Sequence, residues 1–201
     1  VYPTVSSGIR YILFKGNASN GYYLRLNSNG TVSLGTNGLN RITSTAVIPA
    51  GKWSHVAGSY DVSSNGYKLF VNGLEDASII NIINSAPNTN TDSLFIGKFG
   101  ANTFTGLMDE VRIWTKPVVP FMIRKSFRTS LSLSSGQYVS LLFSMPFQRI
   151  NSSGTSFTIQ DLSLNPISVN PTYSRGVTAV DLSGRPSDYL SGNESLSFEG
   201  N

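Results

Sequence analysis

Apolar residues recur at every second position through most of this chain, which is the period of a half-buried β-strand. In "YYLRLNSNGTVSLG", Leu24 and Leu26 fall on one face, Asn29-Gly30 interrupts the run, and Val32 and Leu34 continue it. That pattern predicts a β-hairpin, because Asn-Gly favours positive φ at both central turn positions. The dipeptide begins at Asn20, Asn29, Asn37, Asn65 and Asn72. "GYKLFVNGLE" alternates as cleanly, with Tyr67, Leu69 and Val71 on one face and Lys68 and Phe70 on the other. "RYILFKGN", "DSLFIGKF" and "GLMDEVRIW" read as further strands. Turn signals about 8 to 15 residues apart predict an antiparallel meander folded into a β-sandwich. A helix is expected over residues 120–127, where Pro120 suits the first turn and Arg124, Lys125 and Arg128 complement the dipole at its end.

Beyond residue 128 the pattern weakens. A strand-like stretch covers Tyr138 to Phe143, and shorter candidates lie in "TSFTIQDLSLNP" and "GVTAVDLSGRP" between Pro- and Ser-rich stretches. "NESLSFEGN" alternates again, with Leu196 and Phe198 on one side and Ser195 and Ser197 on the other.

Composition narrows the class. Of the 201 residues, 39% are hydrophobic and 11% aromatic, enough for a large core. Charged residues make up 13%, about half the usual share, and Ser, Thr, Asn and Gly replace them. Such a surface suits an extracellular protein, secreted or on the cell surface. The net charge is +4, but Lys and Arg are dispersed, with "RKSFR" the densest cluster, so nucleic-acid binding is not expected. No apolar run approaches the roughly 20 residues of a membrane span, so membrane insertion is not expected either. The absence of cysteine excludes disulfides and thiolate metal sites.

Three stretches then fall in order: "KWSHVAGSYD", "YKLFVNG" and "LFIGKFGANTFTGLMDEVRIW". Together they resemble the laminin-G-like, concanavalin-A-like jelly-roll family. That family shows a Trp-x-His-Val-Ala strand, a Tyr-x-Val-Asn/Asp-Gly hairpin, a Phe/Tyr-Ile-Gly strand and a Gly-x-Ile-Asp-Glu-Val-Arg-Ile-Tyr/Trp strand. The resemblance implies an all-β antiparallel sandwich of jelly-roll type over residues 1–128. It further implies a β-rich C-terminal connector over 129–192 and, at 193–201, the first strand of a following repeat. "VYPTVSSGIRYILFKGN" looks like the family's second strand entered midway, with the Leu-x-Phe-Asp-Gly first strand missing ahead of it, and "SLSFEGN" looks like that first strand. The chain is therefore expected to be one out-of-register period of a tandem-repeat surface protein. A sandwich lacking its first strand exposes an unpaired edge and part of its core. Leu196 and Phe198 are the candidates for strand complementation, within the chain or in a neighbouring copy.

Few residues offer chemistry. His55 is the sole histidine, and no Gly-x-Ser-x-Gly elbow accompanies it. Alternation puts it on one face with Trp53 and Ala57, which predicts a core imidazole hydrogen-bonded to backbone or to a tyrosine. Asp109 shares a face with Leu107, Val111 and Ile113 on alternation, so its carboxylate needs a partner. That partner is either a calcium ion, which takes hard oxygen ligands, or backbone amides at a bulge. The resemblance leans toward a structural calcium, although Glu199 stands where the family's first strand has Asp. Glu75 and Asp76 are adjacent and point apart, so they read as a solvated turn rather than the acid pair of a glycosidase. Tyr22, Tyr23, Tyr60 and Phe104 are candidates for stacking on sugar or for the core. The expected function is a non-catalytic adhesion or structural module of a repetitive cell-surface or filament protein, contacting neighbouring repeats or other copies. The alternative is a lectin-like module that binds glycans, with or without calcium.

Overall fold

The structure is a computed structural model that describes residues 1–83, 86–128 and 140–145, together with the backbone of four short segments beyond them. Those four are 152–153, 156–157, 177–181 and 194–198. The strands in chain order are β1 (Tyr2–Pro3), β2 (Arg10–Asn17), β3 (Asn20–Leu26), β4 (Thr31–Thr36), β5 (Leu39–Val47) and β6 (Val56–Asp61). Next come β7 (Gly66–Val71), β8 (Leu74–Ile79), β9 (Leu94–Ile96), β10 (Lys98–Phe99), β11 (Asn102–Thr103), β12 (Gly106–Met108) and β13 (Val111–Trp114). Helix α1 (Pro120–Ser126) follows, then β14 (Leu141–Met145), β15 (Ser152–Ser153), β16 (Ser156–Phe157), β17 (Val177–Asp181) and β18 (Glu194–Phe198).

They assemble as an all-β antiparallel sandwich. One layer is the five-stranded sheet β5-β4-β3-β2-β9. Opposite it lie the three-stranded sheet β6-β7-β8 and the sheet β1-β12-β18-β17, with β13 paired to β14. The predicted hairpin is present, with Leu24 opposite Leu34 and Leu26 opposite Val32. Leu26, Val32, Tyr67, Leu69, Phe104 and Met108 are fully buried between the layers. At about 25 cal/mol per Å² of apolar surface, such burial is the main force holding the layers together. One buried polar tie crosses the core: the hydroxyls of Tyr67 and Thr36 are 2.7 Å apart.

Phe70 lies on the opposite face from Tyr67 and Leu69, yet is also buried. The β7–β8 hairpin is covered outside the sandwich, where Phe127 packs so closely on Gly73 that a Cβ there would meet its ring at 2.5 Å. A second aromatic cluster, Tyr11, Phe14, Tyr23 and Phe99, sits apart from the main core. Phe14 and Phe99 stack with centroids 3.5 Å apart, and the Arg25 guanidinium lies 5.0 Å above the Tyr23 ring. Gly35 pairs with Tyr23 and leaves the space that ring occupies, since a Cβ would sit 2.1 Å from it.

The Asn-Gly pairs behave differently from one another. Asn37-Gly38 and Asn72-Gly73 take positive φ at both residues, 52° and 75°, and 50° and 80°. Asn20-Gly21 does not form a turn; it opens β3. The turn lies upstream, where the Asn17 side chain accepts the Ser19 N–H at 2.9 Å and folds the chain as an Asx-turn.

Beyond residue 128, β14 pairs along β13 with Ile113 opposite Phe143, and β18 pairs along β12 with Met108 opposite Leu196 and Gly106 opposite Phe198. The backbone ladder of the sandwich therefore runs on past that point.

Candidate functional site

Pairing with β7 sets the two faces of β6. Val56, Gly58 and Tyr60 stand opposite Val71, Leu69 and Tyr67 and so face the core. Ala57 stands opposite Phe70, on the outer face. β6 is the last strand of its sheet, and β13 ends the pair it forms with β14. A groove of about 530 Å³ is lined by both. Ile12, Leu24 and Leu34 of the five-stranded sheet line it as well, and so does Val1.

Trp53 and His55 are half-buried and belong to neither core cluster, a correction to the core position expected for them. Alternation groups residues without saying which layer a group meets. The strand begins only at Val56, and Trp53 tilts against Tyr2 with centroids 5.8 Å apart. The His55 ring packs on Phe127 at 5.8 Å, and its Nδ1 is buried with no hydrogen-bond partner among the described residues. Its hydrogen bonds run through the backbone instead: its N–H donates to the Asn72 side chain (3.0 Å), and its carbonyl accepts the Asn72 N–H (2.9 Å). Burial, with smaller contributions from the N-terminal ammonium and Arg112, pushes the imidazole pKa down to about 3. At neutral pH it is uncharged, with one ring nitrogen enclosed.

Asp109 and Glu110 also line the groove, at a break in the strand. β12 ends at Met108, β13 begins at Val111, and Glu110 between them takes φ 53°. The bulge shifts the alternation, so Met108 as well as Val111 and Ile113 reaches the core. An Asp109 carboxylate oxygen accepts the Glu110 N–H at 2.9 Å, while Glu110 pairs with the Arg112 guanidinium at 2.7 Å. These surroundings do not fit a calcium ion. One carboxylate serves a backbone amide, its neighbour is neutralised by a cation, and no three His, Asp or Glu side chains gather among the described residues.

Glu75 and Asp76 do point apart. Glu75 pairs with Lys68 at 2.8 Å on the surface. Asp76 is no idle turn residue: it accepts the Thr45 N–H (2.6 Å), the Thr45 hydroxyl (2.9 Å) and the Ala46 N–H (3.0 Å). It thereby ties β8 of one layer to β5 of the other. Of the aromatic candidates, Tyr22, Tyr23 and Tyr60 line the groove, Tyr23 with its ring largely buried, whereas Phe104 is fully buried in the main core. Trp114 lines the groove too and was missed, because its strand register depends on the bulge before it.

Comparison with known proteins places this geometry. Residues 1–123 match the family model described as the concanavalin A-like lectin/glucanases superfamily. A solved structure from Bacteroides ovatus ATCC 8483, named a "putative carbohydrate binding protein", aligns over 98% of this chain with TM-score 0.62 at 18% identity. The chain spans 49% of that protein's length, and at this identity the likeness is one of fold. An S-layer domain-containing protein from Clostridium thermocellum ATCC 27405 aligns over 59% of this chain and 62% of its own, at 22% identity and a TM-score of only 0.32. No curated protein matches the chain significantly.

Proposed function

The chain belongs to the concanavalin A-like lectin/glucanases superfamily, and on that premise we propose that it is a non-catalytic extracellular module of a repetitive cell-surface or filament protein. It acts by contact with neighbouring repeats or other copies of the same protein. The groove carries this reading. It is bordered by two terminal strands over an apolar lining, which is what a polypeptide strand needs for pairing. A glycosidase would need two carboxyl groups flanking the scissile bond, about 5 to 9 Å apart. The groove's Asp109 and Glu110 are instead adjacent and engaged with an amide and a guanidinium. The weakly charged, cysteine-free composition supports a location outside the cell. No described helix is long and apolar enough to cross a membrane.

A second reading, glycan binding, is favoured by Tyr22, Tyr60 and Trp114 beside the polar Thr115 and Lys116 of the same groove. The name of the Bacteroides protein supports it also. One pair of measurements separates the two. Sedimentation velocity is expected to show self-association, a strictly monomeric chain overturning the contact reading, and a glycan array with and without calcium is expected to stay at background. Binding of one glycan class, abolished by Trp114→Ala, would replace the contact module with a lectin.

A further inference from the structure

Residues 1–60 contain no Asp or Glu, and neither do residues 93–108, whereas Arg10, Lys15, Arg25, Arg41, Lys52 and Lys98 fall within those spans. The fold makes that imbalance spatial. All five strands of the sheet β5-β4-β3-β2-β9 come from these spans, so the sheet carries cations and no carboxylate. The described acids are Asp61, Glu75, Asp76, Asp109 and Glu110 of the opposite layer, and Asp92 in the loop before β9. Two of them touch the margin of the sheet and are engaged there. Asp92 accepts from the Asn17 side chain at 2.9 Å, and Asp76 accepts the Thr45 and Ala46 amides.

Strand pairing puts Tyr23, Phe14 and Phe95 in one row across β3, β2 and β9, and Ser33, Arg25 and Tyr11 in the next row across β4, β3 and β2. Leu24 and Leu26 of β3 reach the core, so both rows face out of the sandwich. Arg25 is bedded on their rings. Its guanidinium lies 5.0 Å from the Tyr23 ring centre and 5.9 Å from that of Tyr11, and Nη1 donates to the Tyr11 hydroxyl at 3.4 Å. Stacking of this kind fixes a cation without neutralising it. Burial raises the Tyr23 phenol pKa while Arg25 and Arg41 pull it down, so a second guanidinium acts on the same hydroxyl. Beside this bed Phe95 is 40% exposed, and Phe99, stacked on Phe14, comes within 6.3 Å of it. Arg25 and Phe95 lie two strands apart, roughly 10 Å across the sheet.

We propose that the outer face of the five-stranded sheet docks an acidic polypeptide segment of a partner protein, whose carboxylate meets Arg25 and whose apolar side chain, about three residues along, packs on Phe95 and Phe99. A guanidinium suits a carboxylate because its planar fork takes both oxygens. The exposed rings favour a polypeptide over a uronic-acid polymer, which has carboxylates but no apolar side chains. The dispersed cations do not form the dense track that a nucleic-acid backbone needs. A face charged in one sense also draws such a segment in and repels basic ones. None of this depends on what occupies the groove.

The test titrates the 201-residue chain into a fluorescein-labelled ten-residue peptide that alternates Glu with Leu, followed by fluorescence anisotropy. Binding is expected, weakened roughly tenfold or more by Arg25→Gln and by Phe95→Ser. Arg25→Lys keeps the charge but loses the fork, and a severalfold loss is expected. Lys125→Gln removes the same charge from the exposed side of α1 and is expected to leave affinity unchanged. Replacing Glu by Gln in the peptide should abolish binding. Circular dichroism melts check each variant, and Phe95→Ser, at a half-exposed ring, carries the test should Arg25→Gln not fold. Failure of the acidic peptide to bind would overturn the proposal. So would an equal loss in Lys125→Gln, which would reduce the effect to general attraction by a basic chain. Equal binding of an oligogalacturonate of the same charge would overturn the polypeptide as occupant. Self-association and the glycan array are read separately, so this face and the functional reading stand or fall apart from each other.

Discussion

The two long seams of this sandwich are built on opposite principles. Along the β5–β8 seam, Asp76 reaches across the layers and holds the Thr45 and Ala46 amides, so the layers are stitched by a side chain. Along the β6–β13 seam nothing comparable among the described residues closes the gap, and a groove is lined by both strands instead. Both seams flank the same buried row of Tyr67, Leu69, Leu26 and Val32. Core packing alone therefore does not decide whether an edge is shut. A single well-placed acceptor of backbone amides does so on one side, and the other side is a groove.

The contrast can be broken most severely from the middle. Tyr67→Ala removes a fully buried ring shared by both seams, together with its bond to Thr36. We expect a loss of about 3–5 kcal/mol in urea unfolding, with both seams exchanging amides faster. Next, Asp76→Ala should open only the stitched seam. A cost of about 1–2 kcal/mol is expected, with faster exchange at Thr45 and Ala46 and little change at Val56. If the Val56 amide responds as strongly, the two seams are not independent.

The open side is probed by pH, through His55. Its pKa lies near 3 in the fold against 6.5 ordinarily. The unfolded chain therefore binds the proton first as pH falls. Stability from the neutral ring is fully present above pH 6.5 and declines progressively down to about 3. Asp61, held low by hydrogen bonds from Ser63, and Glu75, held low by Lys68, add their own losses only near and below their ordinary 3.8 and 4.5. Among the described residues, the slope between pH 6.5 and about 5 belongs to His55. Thermal melts across that window should show Tm falling in the native chain and a flatter profile in His55→Gln.

The strands were largely legible because their burial is written in the local period. Leu24, Leu26, Val32 and Leu34 form the predicted hairpin, and Tyr67 and Leu69 lie in the predicted core row. What could not be read depends on distant partners or a broken period. Phe70 looks like a surface position until the hairpin's outer face is seen to be covered. The bulge at Glu110 shifts which side chains reach the core, so Asp109 was placed, and Trp114 passed over, without the register that decides their surroundings. Asp76 finds its partners some thirty residues earlier in the chain, and nothing in "GLEDAS" foretells them.

An amide that already has an acceptor cannot recruit a foreign chain. β5 is the outermost strand of its sheet, the position from which uncontrolled edge-to-edge aggregation of β-proteins begins. By occupying two of its donors, the Asp76 carboxylate also works as a solubility device. Lateral polymerisation finds no ready template at that point of the margin.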